Sequence, residues 1–243
     1  MADTTQLDAF EKRVGYTFTD KALLGTSLTH PSYIQQDPKL KEHNQRLEFL
    51  GDAALSLLLA DKLFRSMPKV REGSLTRNRS ALAKGDHLAN LARELGIPEV
   101  LLMSEAEERN DGRNRDSILE DALEALIGAI YLDSNDWTTT QKVVLNWFGD
   151  LDQRLNNILM EHNPKGKLQE LVQPVLGNES IQYYLIDSDG PSHNRQFTAC
   201  VEVLGVSWGE GSGSSKKEAE ENAARKALAA FENGEVSLPE KDS

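Results

Sequence analysis

Acidic residues interrupt a segment that is otherwise suited to a buried helix. Residues 43–64 read HNQRLEFLGDAALSLLLADKLF, and at about 3.6 residues per turn Glu48 and Asp52 lie one turn apart on one face. The same face continues through Leu55 and Leu59, so two carboxylates lie at the start of an apolar helix face. An ionised carboxylate against a protein core costs several kcal/mol unless it is paired, hydrogen-bonded or bound to a metal. The segment therefore predicts a helix that carries a site for something cationic.

A second segment, residues 115–133, repeats this arrangement. Asp121 and Glu124 are spaced i, i+3, and their helical face continues to Gly128 and Tyr131. The two acidic pairs can therefore face each other. Spacing alone is weak support, because 39 acids in 243 positions give about six such pairs by chance, most of them on solvated helix faces.

The literal strings are far more specific than the spacing. RLEFLGDAAL and the later EDALEALIGAIYLD closely resemble the two signature stretches of the ribonuclease III family, in the family's order. Residues 164–231 in turn resemble a double-stranded-RNA-binding domain, so the resemblance covers nearly the whole chain. It implies a magnesium-dependent endoribonuclease that hydrolyses duplex RNA and leaves 5'-phosphate and 3'-hydroxyl ends with short 3' overhangs. The implied substrates are ribosomal RNA precursors and some messenger and transfer RNA precursors.

The same resemblance implies roles for individual residues. Glu48, Asp121 and Glu124 correspond to magnesium ligands, Asp52 and Glu124 to the catalytic pair that holds the metal-bound water, and Glu72 to an auxiliary acidic position. The family acts as a homodimer, and by resemblance Phe49 would project toward the partner subunit. Core packing is the alternative for Phe49.

The chemistry of these side chains fits a hard cation. Magnesium prefers oxygen ligands and retains several waters, so carboxylates without histidine or thiolate suit it. A di-iron helical bundle is the chemical rival, but it requires Glu-x-x-His, a spacing that the sequence lacks.

One position departs from the family pattern. Where the first signature most often has Glu two residues after the histidine, this chain has Gln45. Glutamine offers an oxygen but no charge, which predicts weaker magnesium affinity and an auxiliary role only. We expect His30, in LTHPSY, to have a structural role at the end of a helix.

Composition restricts the partners and the compartment. The net charge is -12, and neither the first 162 residues nor residues 163–232 are basic overall, so RNA binding would depend on local clusters of cations and on a divalent metal. The acidic start and the lack of a long apolar run predict neither export nor membrane insertion. The single cysteine, Cys200, cannot form an internal disulfide, and a cytoplasmic location fits best.

Periodicity predicts a multidomain chain, with an all-α endonuclease domain followed by a small α+β domain. The first domain is expected over residues 1–157, with helices and no convincing strand; its last helix is predicted over residues 136–160. A linker over residues 158–163 then leads to an α-β-β-β-α domain over residues 164–232, whose third strand is predicted over residues 206–208. The polar residues 233–243 are expected to form a disordered tail.

The start of the last helix is the predicted phosphate contact. Ser215 and Glu218 form a capping-box pattern around Lys216 and Lys217. Cations at the positive end of a helix dipole are unfavourable by roughly 0.3 to 1 kcal/mol, which favours a docked anion. An ordinary solvated lysine pair is equally compatible with the sequence alone.

Resemblance to the RNA-binding domain supports the phosphate contact and adds three further residues. Gln169, Glu170 and His193 occupy positions that touch successive minor grooves of duplex RNA in such domains. The functional alternative to a nuclease is an inactive duplex-RNA-binding scaffold, in which the first domain serves only for dimerisation. Its only support is Gln45.

Overall fold

A computed structural model of the chain describes residues 4–34, 41–189 and 195–238. The chain divides into two units, Met1–Leu155 and Asn156–Ser243. The described part of the first unit contains helices and no β-strand. These are α1 (Thr4–Val14), α2 (Lys21–Ser27), α3 (Pro31–Ile34), α4 (Gln45–Ser66), α5 (Glu72–Leu82), α6 (Gly85–Leu95), α7 (Ile97–Val100), α8 (Glu105–Arg109), a 3-10 turn (Gly112–Asn114), α9 (Asp116–Ser134) and α10 (Trp137–Phe148). Helix α11 (Leu151–His162) begins in the first unit and ends in the second.

Helix α9 forms the centre of the first unit. Every residue from Ala125 to Ile130 is buried, because α4 and α6 both pack against this helix. Small residues (alanine and glycine) are interspersed there with leucine and isoleucine, so neighbouring helices can approach closely while large side chains fill the remaining space. The more polar first half of α9 reaches the surface, with Glu120, Asp121 and Glu124 partly exposed.

The second unit is an α-β-β-β-α domain. Helix α12 (Pro164–Leu176) precedes the strands β1 (Ile181–Asp189), β2 (Gln196–Val203) and β3 (Val206–Gly213), and α13 (Lys216–Glu232) follows them. The strands form an antiparallel sheet in the order β1-β2-β3. Both helices contribute to one apolar core with the sheet, built around Leu168, Val172, Val201, Trp208 and Leu228. The predicted fold class is confirmed.

Three alternate glycines of β3 let α13 lie almost directly on the sheet. A β-carbon at Gly209 would stand 2.6 Å from the carbonyl oxygen of Ala223, and one at Gly211 would stand 2.7 Å from that of Ala219. A β-carbon at Gly213 would stand 2.9 Å from the backbone nitrogen of Ala219. Larger side chains on this face of β3 would therefore push the helix away.

The same glycines explain why the predicted third strand was too short. The strand continues to Gly213, but its glycines leave no alternating apolar pattern in the sequence. The predicted helix over residues 136–160 is likewise divided in two at Gly149, whose positive φ of +59° ends α10.

The two ends of the second unit also differ from expectation. Residues 158–162, assigned to a linker from the sequence, belong to α11. The tail was expected to be disordered from residue 233, whereas Val236 and Leu238 pack against the core of the second unit. Burial of these two apolar side chains offsets the entropy lost by ordering the segment. Residues 239–243 lie outside the described residues.

Candidate active site and nucleic-acid interface

Two glycines bring the backbones of α4 and α9 together. A β-carbon at Gly51 would stand 3.0 Å from the backbone nitrogen of Gly128, and one at Gly128 would stand 3.2 Å from the backbone nitrogen of Gly51. Gly51 also faces the backbone of Glu124, and Gly128 faces that of Leu47. No side chain separates the two helices at this crossing, so the residues one turn away on each helix become neighbours.

The four predicted acidic residues lie within electrostatic range of one another on these two helices. Glu48, Asp121 and Glu124 are partly buried and Asp52 is exposed. Burial, followed by the charges of Asp121 and Asp52, raises the pKa of Glu48. The pKa of Glu124 is raised by burial and by the charges of acidic residues on both α4 and α9. The carboxylates of α4 and α9 therefore share one electrostatic environment.

These carboxylates are not a complete metal-binding shell. Across residues 4–34, 41–189 and 195–238, no three Asp, Glu, His or Cys side chains are grouped closely enough to hold an ion on their own. A hard cation that keeps water ligands and takes phosphate oxygens from a substrate needs fewer protein ligands. The donor set, which is exclusively carboxylate oxygen, fits Mg²⁺ in that mode.

Glu124 has the most strongly perturbed carboxyl group of the cluster. Burial, then the charges of Asp52, Glu120, Asp121 and Glu48, raises its pKa from an ordinary value of 4.5 to about 8. A proton or a cation at this carboxyl relieves the repulsion. Metal-free protein at neutral pH consequently carries a group that binds a proton and can exchange it for a metal ion.

This raised pKa predicts that metal-free protein loses stability as pH rises. Between about pH 4.5 and 8 the folded state holds a proton at Glu124 that the unfolded chain has released, so the free energy of unfolding falls across this window. We expect Glu124→Gln to flatten the fall and to be more stable than wild type at about pH 9. Urea unfolding in the presence of EDTA, repeated across this range, measures the difference. The exposed Asp8→Asn variant should keep the wild-type slope, and an equal slope in Glu124→Gln would contradict the assignment.

Sequence reasoning missed Glu120 as a member of the cluster. Its charge contributes to the raised pKa of both Glu48 and Glu124, and its own pKa is raised by burial and by Asp121 and Asp52. The available signal was its position one turn before Glu124 on α9.

His30 also stands beside the cluster, which the sequence did not predict. Its Nδ1 accepts a hydrogen bond from the backbone N–H of Ser32 at 3.2 Å and lies 2.7 Å from Ser32 Oγ, which accepts from the backbone N–H of Ser104. This leaves Nε2 as the protonated nitrogen of the neutral ring. Burial lowers the pKa of His30, while the charges of Glu107 and Asp121 oppose that shift.

The two predicted auxiliary residues lie apart from the centre of the cluster. Gln45 is exposed at the first position of α4, one turn before Glu48. Glu72 is exposed at the start of α5, where its Oε1 accepts a hydrogen bond from Thr76 Oγ1 at 2.9 Å. Its charge contributes to none of the raised carboxyl pKa values in the cluster.

The predicted phosphate contact lies at the exposed start of α13. Ser215 Oγ accepts from the backbone N–H of Glu218 at 3.2 Å, and Glu218 Oε2 accepts from that of Ser214 at 2.8 Å. The capping box therefore closes one residue earlier than expected. Lys217 is 85% exposed, with Nζ 3.8 Å from Oε1 of Glu221, an exposed pair that an RNA phosphate can displace at little cost.

The remaining predicted RNA contacts belong to the first helix and the loop after β1. Gln169 is exposed and Glu170 partly buried on α12. His193 lies outside the described residues.

Large apolar side chains are exposed along α4. Phe49 is 80% exposed, Phe64 71% and Leu57 59%. Exposed aromatic side chains on one helix are typical of a surface that another protein covers. Core packing, the alternative considered for Phe49, is wrong.

Comparison with known proteins is consistent across the chain. Residues 20–151 match the family model described as ribonuclease-III-like, and residues 164–230 match that of the double-stranded RNA binding motif. The chain is 43% identical to ribonuclease 3 of Pelotomaculum thermopropionicum over 92% of both chains. It is 39% identical to ribonuclease 3 of Vibrio cholerae, over 95% of this chain and 100% of the relative.

Solved structures give the same picture for the first unit. A nuclease-domain structure of ribonuclease III from Campylobacter jejuni, described as flexible in a region involved in dimer formation, is 40% identical. It aligns with a TM-score of 0.54 over 58% of this chain and 94% of the other. None of the described helices is both long and apolar enough to cross a lipid bilayer.

Proposed function

Because the chain belongs to the ribonuclease III family, whose members are endoribonucleases acting on double-stranded RNA, we propose that it cleaves duplex RNA with Mg²⁺. Hydrolysis leaves 5'-phosphate and 3'-hydroxyl ends with short 3' overhangs. The observation that supports this most directly is the convergence of carboxylates from α4 and α9 at the Gly51–Gly128 crossing. Residues 1–157 supply the nuclease and residues 164–232 the RNA-binding domain.

Each carboxylate has a distinct part in this proposal. Glu48, Asp121 and Glu124 would hold the ion together with water and phosphate oxygens, and Asp52, which is exposed, would orient the attacking water. Bound Mg²⁺ supplies charge neutralisation at the phosphate oxygens and a water of lowered pKa. Glu124 can take up or release a proton near neutral pH, since its pKa is raised to about 8.

The test of the proposed reaction uses the full chain and a long, blunt RNA duplex. We expect cleavage that depends on Mg²⁺ and stops with EDTA. The products should accept a 5' label from polynucleotide kinase only after phosphatase treatment. No product at any Mg²⁺ concentration would favour the inactive scaffold, and 5'-hydroxyl ends would contradict the proposed chemistry.

The second unit positions the duplex in this scheme. Gln169, Glu170 and His193 are proposed to contact minor grooves, and Lys216 and Lys217 to contact the phosphates between them. Recognition of this kind reads A-form shape, which suits a nuclease acting on ribosomal, messenger and transfer RNA precursors in the cytoplasm.

Replacing both lysines should weaken duplex binding without altering its sequence preference. We expect Lys216→Ala with Lys217→Ala to lower affinity and to reduce the slope of log K against log salt by about 1 to 2, since each lost phosphate contact removes nearly one released counterion. Filter binding at several salt concentrations measures both quantities. Lys226→Ala, near the other end of α13, is the matched control. An unchanged salt slope would rule out the phosphate contact.

A homodimer is the proposed assembly, with the exposed apolar side of α4 at its interface. Replacing Phe49 with Ser should shift the protein toward monomer in sedimentation equilibrium, because an exposed aromatic side chain of this kind anchors an interface. Leu132→Ser, which changes another exposed leucine on α9 (47% exposed), should leave the dimer intact. Wild-type protein that sediments as a monomer would contradict the proposal.

A further inference from the structure

Glu120 lies where its charge reaches both halves of the acidic cluster. It precedes Asp121 and stands one helical turn before Glu124, so the side chains of Glu120 and Glu124 share one face of α9. Its carboxylate is only partly exposed. Burial is the main cause of the raised pKa values of Glu48 on α4 and Glu124 on α9, and the charge of Glu120 adds to both, which places it within electrostatic range of each.

A glycine makes room for this carboxylate. A β-carbon at Gly85 would stand 2.9 Å from Glu120 Cδ and 3.0 Å from Glu120 Oε1. Gly85 is the first residue of α6, and the charge of the next residue, Asp86, raises the pKa of Glu120 in addition to burial and the charges of Asp121 and Asp52. The Glu120 carboxylate therefore lies against the first residue of α6.

The cluster lacks a carboxylate elsewhere. Gln45 stands one turn before Glu48 at the start of α4, where the family's first signature most often has Glu. A neutral amide there removes one negative charge from the α4 side of the site. Glu120 adds one from the α9 side.

We propose that Glu120 is a fifth carboxylate of the cation site, seated against Gly85, and that it supplies the negative charge that Gln45 does not. This inference rests on the proposed metal-dependent function and deepens it. Glu120 is a positioning residue, because it increases the affinity of the site for the ion while Glu48, Asp121 and Glu124 remain the ligands.

Binding of Mn²⁺ to the full chain without RNA tests the proposal independently of cleavage. The free ion gives an electron paramagnetic resonance signal that is lost on binding. We expect Glu120→Gln to weaken binding about 10-fold or more, the size of effect seen when groups that support metal ligands are removed. The concentration of Mg²⁺ for half-maximal cleavage should rise in parallel. Asp8→Asn removes the same charge at an exposed position of α1 and should bind Mn²⁺ as wild type does.

Two further variants separate a role at the site from an effect on folding. Gln45→Glu should strengthen Mn²⁺ binding, and combined with Glu120→Gln it should return binding to near the wild-type level. Gly85→Ala adds a methyl group where the Glu120 carboxylate lies, at a helical position whose backbone accepts alanine. It should weaken binding when Glu120 is present and have no added effect on Glu120→Gln.

The outcomes distinguish this inference from the proposed function. Wild-type Mn²⁺ affinity in Glu120→Gln, in an enzyme that cleaves RNA, would overturn the role of Glu120 alone. Failure of Gln45→Glu to restore binding would overturn the compensation. Wild-type protein that neither binds Mn²⁺ nor cleaves would overturn the proposed function itself.

Discussion

Replacing Glu124 with Gln will reduce cleavage of duplex RNA by a factor on the order of 10³ or more. The substitution keeps the shape of the side chain but removes the charge from the carboxyl group whose pKa is raised to about 8, first by burial and then by the neighbouring acidic residues. A glutamine amide cannot release a proton and bind a metal ion in its place. The site therefore loses a ligand and a group that titrates near neutral pH. Duplex binding should change by less than about twofold, because most of the affinity comes from phosphate contacts.

Single-turnover cleavage with enzyme in excess isolates this effect from product release. Duplex affinity is measured separately with Ca²⁺ in place of Mg²⁺. Asp8→Asn serves as the control for the lost charge and should cleave at the wild-type rate. A Glu124→Gln variant that cleaves within about tenfold of wild type would remove Glu124 from the catalytic group.

Replacing Gly51 with Ala should destabilise the first unit by about 3 kcal/mol or more and abolish cleavage. Overpacking of a filled core costs about 1 to 3 kcal/mol, and the obstacle here is backbone rather than a side chain that can rotate away. The added β-carbon would lie 2.5 Å from the carbonyl carbon of Glu124. The helices must separate, and the carboxylates on α4 and α9 then no longer meet.

Gly25→Ala is the matched control for this prediction. Gly25 is also helical, in α2, but no atom lies within 4 Å of where its β-carbon would be. Alanine there should leave stability unchanged or raise it by up to about 1 kcal/mol through helix propensity. Urea unfolding of both variants gives the comparison. Equal stability of Gly51→Ala and wild type would show that the helices can separate without cost.

The helical period was sufficient to predict which acids share a face. Glu48 with Asp52 and Asp121 with Glu124 are predicted from spacing and from resemblance to family signatures, and in the structure the charges of Asp52, Asp121 and Glu48 all contribute to the raised pKa of Glu124. The two helices approach closely because each has a glycine at the crossing, and the sequence shows only that each helical segment contains a glycine. The contact between Gly51 and Gly128 is a tertiary contact, which spacing within one helix cannot predict.

Glu120 and His30 were missed for the same reason. One acid among 39 becomes part of a site only when a neighbouring element leaves space for it, as Gly85 on α6 does. His30 is held by Ser32, which also accepts a hydrogen bond from the distant Ser104, and the charge of Asp121 acts on it; these contacts join segments far apart in the sequence. Glu72 is the opposite case. Resemblance to the family assigns it to the acidic site, but its charge contributes to none of the raised carboxyl pKa values there.

The end of helix α10 and the ordered residues after α13 were also not predicted from the sequence. Gly149 was not recognised as the end of α10, because a glycine in a helical pattern is compatible with either continuation or a left-handed turn. Val236 and Leu238 were overlooked because polar neighbours masked their ability to cover an existing core.

The glycine face of β3 reduces the entropy that the protein loses when it binds RNA. Only two residues connect β3 to α13, and the helix rests on the strand at backbone distance. The first turn of α13 is thus preorganised, and the ammonium groups of Lys216 and Lys217 start from fixed anchor points. Docking a phosphate must then immobilise only the lysine stems, so less of the electrostatic gain is lost to ordering the protein.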